Sequence, residues 1–568
     1  MKILLFYVWF HFCWSCFAKL DTEWWEHTII YEIIPHTFKD SDGDGVGDFK
    51  GITSKLDHFV DLGIETIHLT PMYETTALDM GYDITDYYNV DHRLGTISDL
   101  EELIREMNKR NMKLILDLVI NHSSHKHKWF QKSIDRIDPY TDFYVWKDSK
   151  GFDNVTNQEI PPNKWISVFL QEPGAAWTWN EKRKQFYLHN FLPEQPDLNL
   201  RNENLKEILW KMIEFWLDKG VSGFRLDATP WYIEDEEFRD DDLNLRQCNQ
   251  PETFEFIHEF RTYLDKYNEK RGGFERIFIA EAHVWGEILT QYYGRKNYSV
   301  THFPYSFLLR YINWPINAKT LQFYLNFWMS FLPEGKTAAW MTQDHDGSRV
   351  GSRICPEFAD IFTIVSMMLP GTVGVYYGQE IAMMNGFATE DQFHDFSGGG
   401  TRDPTRLTMQ WDDTINAGFS TNVSTYSPVN SDYFQRNVAV QKEQSVSHYN
   451  LFKDLATLRK TNIFKFGKFK NANFGNIYSL TRSYKGNVLT VVVNFEITAS
   501  SRVNLTEILQ NRPDEITVVA ASVNSEYVKG FNIEFKQSEE FYMRPLSSVV
   551  LKTDLPYSEN EDVMLQNI

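Results

Sequence analysis

Residues 223–228, 277–282 and 341–349 read GFRLDA, IFIAEA and MTQDHDGSR, and each sets a carboxylate, Asp227, Glu281 or Asp346, just past a short apolar run. Parallel strands covered on both faces read as continuous apolar stretches, because neither side meets water. Working outward, similar runs fall at Ile29 to Ile34, Thr66 to Thr70, Leu114 to Ile120, Gly223 to Asp227, Ile277 to Glu281, Val300 to Phe303, Ala338 to Gln343 and Thr372 to Tyr377. Eight runs with helical segments between them predict an α/β fold, a (β/α)8 TIM barrel. The C-terminal ends of its strands are where such barrels carry their chemistry.

The intervening segments have the helical period. Leu100, Leu103, Ile104 and Met107 share one face behind a predicted Ser98/Glu101 capping box. Leu205, Ile208, Leu209, Met212, Ile213 and Trp216 repeat the pattern, with Gly220 placed to end that helix. Residues 122–195 break the alternation with Trp, Pro and Asn, which predicts an insertion domain on the loop after strand 3, walling the site. Past residue 474 come short runs, Val488 to Asn494, Ile516 to Ala520 and Ser547 to Lys552, which predict a C-terminal antiparallel β domain. The expected organisation is a signal peptide 1–18, barrel 19–121, insertion 122–195, barrel 196–474 and β domain 475–568.

A formal net charge of -21 excludes a polyanion partner such as nucleic acid. Ile3 to Phe17 is apolar behind Lys2 and ends at the small residues Cys16 and Ala18, the pattern of a cleaved secretory signal. The alternative, an uncleaved anchor, wants about 20 apolar residues. Cleavage leaves no membrane span and predicts a secreted protein. The mature chain then keeps Cys248 and Cys355, which either pair or stay reduced. Sequons at Asn154, Asn297, Asn422 and Asn504 suit an exported surface, whereas the one at Asn121 falls in a strand end.

Taken singly, an Asp or Glu at a strand end marks a turn. Three of them at barrel strand ends fit glycoside cleavage with retention, which uses one carboxylate as nucleophile and another as acid and then base. Asp227 is the candidate nucleophile, with Arg225 two residues earlier on the same side to hold it ionised. Glu281, after an apolar run, is the candidate acid able to keep its proton, and Asp346 beside His345 is the third carboxylate. In DSDGDGVGD, Asp40, Asp42, Asp44 and Asp48 offer oxygens at alternate positions and Val46 offers its carbonyl, a set suited to a hard cation. It departs from the EF-hand, since the twelfth position is Gly51.

These segments resemble the signature regions of the alpha-amylase superfamily of glycoside hydrolases, and within it the alpha-glucosidase branch that includes insect maltases. The likeness runs from EWWEHTIIYEIIPHTFKDSDGDGVGDFKGI (23–52) through GYDITDY (81–87), DLVINHSS (117–124), QPDLN (195–199), GFRLDA, AEA, QDHDGSR and RDPTRLTMQWDD (402–413) to the β domain. The resemblance implies Asp227 as nucleophile, Glu281 as acid/base and Asp346 as transition-state stabiliser. It implies Tyr82, Asp83, His122, Arg225, His345 and Arg406 around the non-reducing glucose, and a structural Ca2+ on Asp40, Asp42, Asp44, Val46 and Asp48. The implied activity is that of a secreted, exo-acting, retaining alpha-glucosidase taking terminal alpha-1,4-linked glucose from maltose, sucrose and short oligosaccharides. Ala228, small and next to the nucleophile, is similar to the alpha-1,4-preferring members.

The chain also departs from that pattern. Asp344 stands where Asn is usual, Glu32 and His36 where Gln and Arg are, His68 where Trp is common, and Thr408 where Pro is. An added charge at Asp344 is expected to disturb the ionisation of its neighbours. The alternative function is a catalytically weak homologue acting as a binding or transporter-accessory protein; an endo-acting amylase would need an open cleft.

Overall fold

The computed structural model describes residues 22–168, 174–240, 246–295, 298–395, 400–509, 515–534 and 541–554, so the predicted signal peptide lies outside the described residues. Eight strands form one parallel sheet: β1 (Ile29–Ile33), β2 (Thr66–Leu69), β3 (Lys113–Leu118), β4 (Gly223–Leu226), β5 (Ile277–Ala280), β6 (Phe303–Pro304), β7 (Ala339–Met341) and β8 (Thr372–Tyr376). They pair in chain order, β8 returns to β1, and β7 joins β8. The remaining seam closes between β6 and β7, where Ser306 pairs with Trp340 and the Ser306 N–H donates to the Ala339 carbonyl at 2.8 Å. The eight strands thus form a near-closed barrel. Each of the eight predicted runs overlaps its strand, and all but the third and sixth contain it whole; the third strand starts one residue earlier, at Lys113. The sixth is displaced toward its C-terminal end, because ladder bonding begins only at His302, whose N–H reaches the Phe278 carbonyl at 2.9 Å.

The helices pack on this barrel as their periodicity requires. Ile97–Lys109 buries Leu100, Leu103, Ile104 and Met107. Its capping box is not Ser98/Glu101 but Thr96/Asp99: Thr96 has extended φ/ψ and its hydroxyl accepts from the Asp99 N–H, while Ser98 is already inside the first turn. The motif occurs twice in overlapping register, and the backbone uses the earlier copy. Glu203–Asp218 is capped by Asn202 and stops before Gly220, which takes a φ of 103°.

Two excursions rise over the C-terminal ends of the strands. The first, after β3, holds the short helix Lys128–Ile134 and a three-stranded sheet of Trp146–Lys147, Gln185–Leu188 and Trp177–Asn180, with its own small core around Trp165, Trp177 and Phe186. It is tied back to the barrel where His122 pairs with Asp197. The second follows β8 and, among the described residues, holds single helical turns and loops up to Asn437; the sequence reading did not single it out.

The C-terminal antiparallel sheet runs in the order Lys468–Phe474, Ile477–Tyr484, Asn487–Asn494, Ser548–Asp554, Glu515–Ala521, Asn532–Glu534. Its first strand ends at Phe474, so the sheet begins earlier than the expected boundary at 475. It packs on the barrel helix Phe358–Met368, with Phe358 and Phe495 rings 5.9 Å apart. Cys248 and Cys355 are not joined in a disulfide. Asn121 is buried, its side-chain amide donating to the Trp231 carbonyl at 2.5 Å, as its place at the end of β3 implies.

Candidate active site

Register on the barrel decides which charges meet. Asp117 on β3 is the lateral partner of Arg225 on β4, and Glu32 on β1 is the partner of His68 on β2. One carboxylate among the apolar residues of a buried strand is costly unless paired. Arg225 supplies the pairing: its Nη1 donates to both Asp117 oxygens at 2.9 and 3.1 Å and also to Asp227 Oδ1, while Nη2 lies 3.7 Å from Glu281 Oε2. A single guanidinium therefore spans the candidate nucleophile and the candidate acid.

The ladder itself carries both carboxylates past the strand ends. The Asp227 N–H donates to the Leu118 carbonyl at 3.1 Å and the Glu281 N–H to the Leu226 carbonyl at 3.0 Å, which fixes their height above the barrel. The next residue, Ala228, turns into the left-handed region with φ 51°, a conformation that costs a non-glycine residue about 1–2 kcal/mol. Its N–H donates to Glu281 Oε2 at 2.6 Å. The strain buys a second tether between the two strands.

Asp346 enters from the loop after β7. Arg402 and Arg406 donate to its Oδ1 at 2.7 and 2.9 Å, and His345 Nε2 stands 3.5 Å from Oδ2. Burial would raise this carboxyl, but His345, Arg402, Arg406 and Arg310 together hold it well below the usual carboxylate range. It is anionic throughout the working pH range.

The other two carboxyls split in the opposite sense to the sequence expectation. Burial pushes Asp227 well above the ordinary range; Arg225 opposes this, and the negative charges of Asp117, Glu281 and Asp346 add to it. Burial would also raise Glu281, but His283 and Arg225 outweigh it and hold the carboxyl down to about 2. Both directions run against the expected arrangement of an ionised Asp227 and a protonated Glu281: burial is the largest cause at Asp227, and at Glu281 the strongest lowering comes from His283, whose Nε2 lies 2.5 Å from Oε1.

Asp227, Glu281 and Asp346 share one cavity of about 200 Å³, together with Tyr82, His122 and Phe191. That is below the roughly 300–1,000 Å³ of ordinary ligand pockets and suits one small ring better than a threaded polymer. His122 is fully buried, which lowers it to about 4, so it faces the cavity as a neutral imidazole. Tyr82 donates to Asp117 Oδ2 at 2.9 Å and lies 2.7 Å from His345 Nε2.

The remaining expected residues sit elsewhere. Arg225, His345 and Arg406 stand behind the wall and aim the carboxylates rather than facing the cavity. Asp83 does not line it: its carboxylate accepts from the Thr75 hydroxyl at 2.7 Å and from the backbone N–H groups of Thr76 and Leu78 at 3.1 Å, closing the loop after β2. Asp79, four residues earlier, lines the cavity instead. It is held by Arg402 at 3.1 Å and by Gln195, from the QPDLN segment, at 3.1 Å.

Arg310, Arg402 and His283 also line the cavity and were not singled out in the sequence. Arg310 resolves the Asp344 departure: its Nε donates to Asp344 Oδ1 at 2.6 Å, so the added charge is neutralised before it reaches Asp346. Glu32 and His68 likewise form one unit. Glu32 accepts from the His345 N–H at 3.1 Å and lies 2.9 Å from His345 Nδ1, while His68 sits between Glu32 at 3.5 Å and Asp117 at 3.7 Å. Burial works against both imidazoles, but these carboxylates raise His68, and Asp346 with Glu32 raises His345.

A profile of the alpha amylase catalytic domain matches residues 32–467. The chain belongs to the alpha-amylase family. Among curated relatives, this alpha-amylase family member is 37% identical to Maltase 1 of Drosophila virilis over 89% of its own length and 84% of the relative's. It is 36% identical to an alpha-glucosidase of Culex pipiens over 93% and 91%. An amino acid transporter heavy chain of Homo sapiens is 33% identical over 87% of this chain and 74% of that one. Among solved structures, a trehalose-6-phosphate hydrolase of Bacillus licheniformis superposes with a TM-score of 0.81 at 26% identity, covering 94% of this chain and all of the other. The chain is a glycoside hydrolase of this family, with three carboxylates around one cavity.

On the loop before the first barrel helix, Asp40, Asp42 and Asp48 bring ligand oxygens within 4.8 Å of one another; Asp44 is outside that group. Asp40 also accepts the N–H groups of Gly43 and Gly45 at 2.7 and 2.9 Å, and Asp48 that of Gly51 at 2.7 Å. Three carboxylate oxygens from one loop are the donor chemistry of a hard cation.

Proposed function

We propose that the protein is a secreted, exo-acting, retaining alpha-glucosidase that releases terminal alpha-1,4-linked glucose from maltose, sucrose and short oligosaccharides. The observation that carries this reading is the small cavity into which Asp227, Glu281 and Asp346 all open. The maltase and alpha-glucosidase relatives support the substrate class. Asp227, freed of its proton, attacks the anomeric carbon while Glu281 protonates the leaving oxygen. Water then attacks the glucosyl ester with Glu281 as base, and the configuration is retained. Asp346, kept anionic by its two arginines, stabilises the positive charge that develops on the ring.

In this reading the acid limb of the rate profile belongs to Asp227, which must ionise against its burial. Asp40, Asp42 and Asp48, with the Val46 carbonyl, would hold a structural Ca2+ that pins the loop, while the reaction proceeds on protein groups. Secretion follows from the signal-like N-terminus and is in keeping with the salivary alpha-glucosidases among the relatives. The transporter relative keeps the binding-protein alternative in view; the three assembled carboxylates favour catalysis. Incubating the purified protein with maltose, sucrose, isomaltose and trehalose and measuring glucose tests the proposal. Maltose should be cleaved and Asp227→Asn should be inert; turnover by that variant, or none by the parent, would overturn it.

A further inference from the structure

We infer that His283 is a positioning residue that stores the catalytic proton of Glu281. The inference rests on the glycosidase reading above and on contacts around one imidazole. His283 Nε2 lies 2.5 Å from Glu281 Oε1, its Nδ1 lies 2.8 Å from the Tyr311 hydroxyl, and its ring stacks on Phe307 at 4.3 Å. The stack fixes the ring plane, so neither nitrogen can leave its partner without unstacking.

The second partner matters because a phenol oxygen accepts from a ring N–H. When the imidazole is protonated, Nδ1–H donates to the Tyr311 oxygen and Nε2–H to Glu281; once the Nε2 proton has passed to Oε1, Nδ1–H keeps its bond to Tyr311 and Nε2 accepts from the Glu281 O–H. The Tyr311 bond is the same in both states, so the proton can move between Nε2 and Oε1 without breaking the frame. Transfer to Glu281 breaks Nε2–H and forms Oε1–H. Glu281 then delivers that proton to the leaving oxygen as its bond to the sugar breaks. In the second half-reaction the attacking water returns a proton to Glu281, and from there to His283.

Other charges face this pair. Asp227 and Arg225 approach from β4, Arg310 and Tyr311 from the loop after β6, and Asp346 from the loop after β7. Arg310 is already engaged by Asp344, and Arg225 by Asp117 and Asp227, so His283 is the group that supplies a mobile proton to Oε1. Two coupled groups release their shared proton at a value that belongs to the pair. Glu281 alone would release it at lower pH, so the pair extends the acid-competent form toward neutrality.

The test uses His283→Asn and His283→Phe in the full chain. The kcat/KM pH profile is measured with maltose and with an aryl alpha-glucoside whose phenolate leaves without acid help. The proposal expects the alkaline limb for maltose to move to lower pH by a unit or more, with at least a tenfold loss at neutral pH, while the aryl substrate loses less than threefold. An unchanged limb, or equal losses on both substrates, overturns it. A second readout needs no turnover: the Nε2–H resonance of His283 by NMR in histidine-labelled protein, assigned with His283→Asn. It should lie at the low field of a short hydrogen bond in the parent and move upfield in Glu281→Gln, and identical spectra in the two overturn the pairing. If the parent cleaves neither substrate, the glycosidase reading fails, and the spectrum still decides the pair.

Discussion

Arg225→Ala removes the one cation that spans the floor of the site. The guanidinium makes two contacts to Asp117 at 2.9 and 3.1 Å, a third to Asp227, and approaches Glu281 at 3.7 Å. Removing one partner of a buried ion pair typically costs about 3–5 kcal/mol. The variant relieves part of that cost by protonating Asp227, whose carboxyl burial already holds high. Each further pKa unit is worth about 1.4 kcal/mol and removes a factor of ten from the ionised nucleophile. If about 3 kcal/mol is relieved this way, the rise is roughly two units and kcat/KM near neutral pH falls about 100-fold. A carboxyl raised in the folded state binds a proton that the unfolded chain has released. The variant's deficit relative to the parent is therefore small below the parent's own raised value and grows as pH climbs from there toward the variant's. Denaturant midpoints at pH 5 and pH 7, together with kcat/KM for maltose at both, measure the two effects. A kcat/KM within threefold of the parent at pH 7, or a stability loss below about 1 kcal/mol there, would refute the reasoning.

Three further outcomes follow from the same charges. Glu32→Gln should destabilise the fold by about 1–3 kcal/mol, measured as the shift in urea midpoint across pH. The Glu32 carboxyl is depressed and His68 and His345 are raised. The carboxylate's contribution is therefore present above about 4.3, and the imidazoles' contribution fades as pH rises past their folded values, so the loss peaks between about pH 4.5 and 6.5. Asp344→Asn and Arg310→Ala, singly and together, should couple by about 1.5–3 kcal/mol in kcat/KM, with Arg310→Ala the more damaging because it leaves Asp344 unpaired beside Asp346; additive losses would count against the pairing. Chelation should lower the melting temperature by several degrees and added Ca2+ should restore it, measured by calorimetry on the parent and on Asp40→Ala, which should not respond.

The barrel was legible because its strands are buried on both faces, so each run is mainly apolar, although Glu32, His68, Asp117 and Arg225 interrupt the first four, and its end is marked by a polar residue. Asp227, Glu281 and Asp346 were legible for the same reason. What escaped was anything decided by register or by loop path. Asp117 was readable as a charge inside an apolar strand, but its pairing with Arg225 depends on β3 and β4 lying level. Glu32 and His68 are visible as two separate departures, and only the alignment of β1 with β2 makes them one compensated pair. Asp83 and Asp79 flank one tight turn, and which of them faces the cavity is set by Thr75 and Thr76, which take the Asp83 carboxylate. Arg402 and Arg310 come from irregular loops whose course has no period to read. His283 had a local signal, an ionisable residue two positions past a strand-end glutamate, but its stacking on Phe307 joins segments 24 residues apart in sequence.

The most direct test of the central claim is to trap the covalent intermediate. The enzyme is treated with a fluorinated glucosyl fluoride that forms the ester quickly and loses it slowly, then digested and sequenced by mass spectrometry. The account predicts one added fluoroglucosyl group on Asp227, with Glu281 and Asp346 unmodified. A label on either of the other two carboxylates, or full inactivation with no covalent adduct, would contradict it.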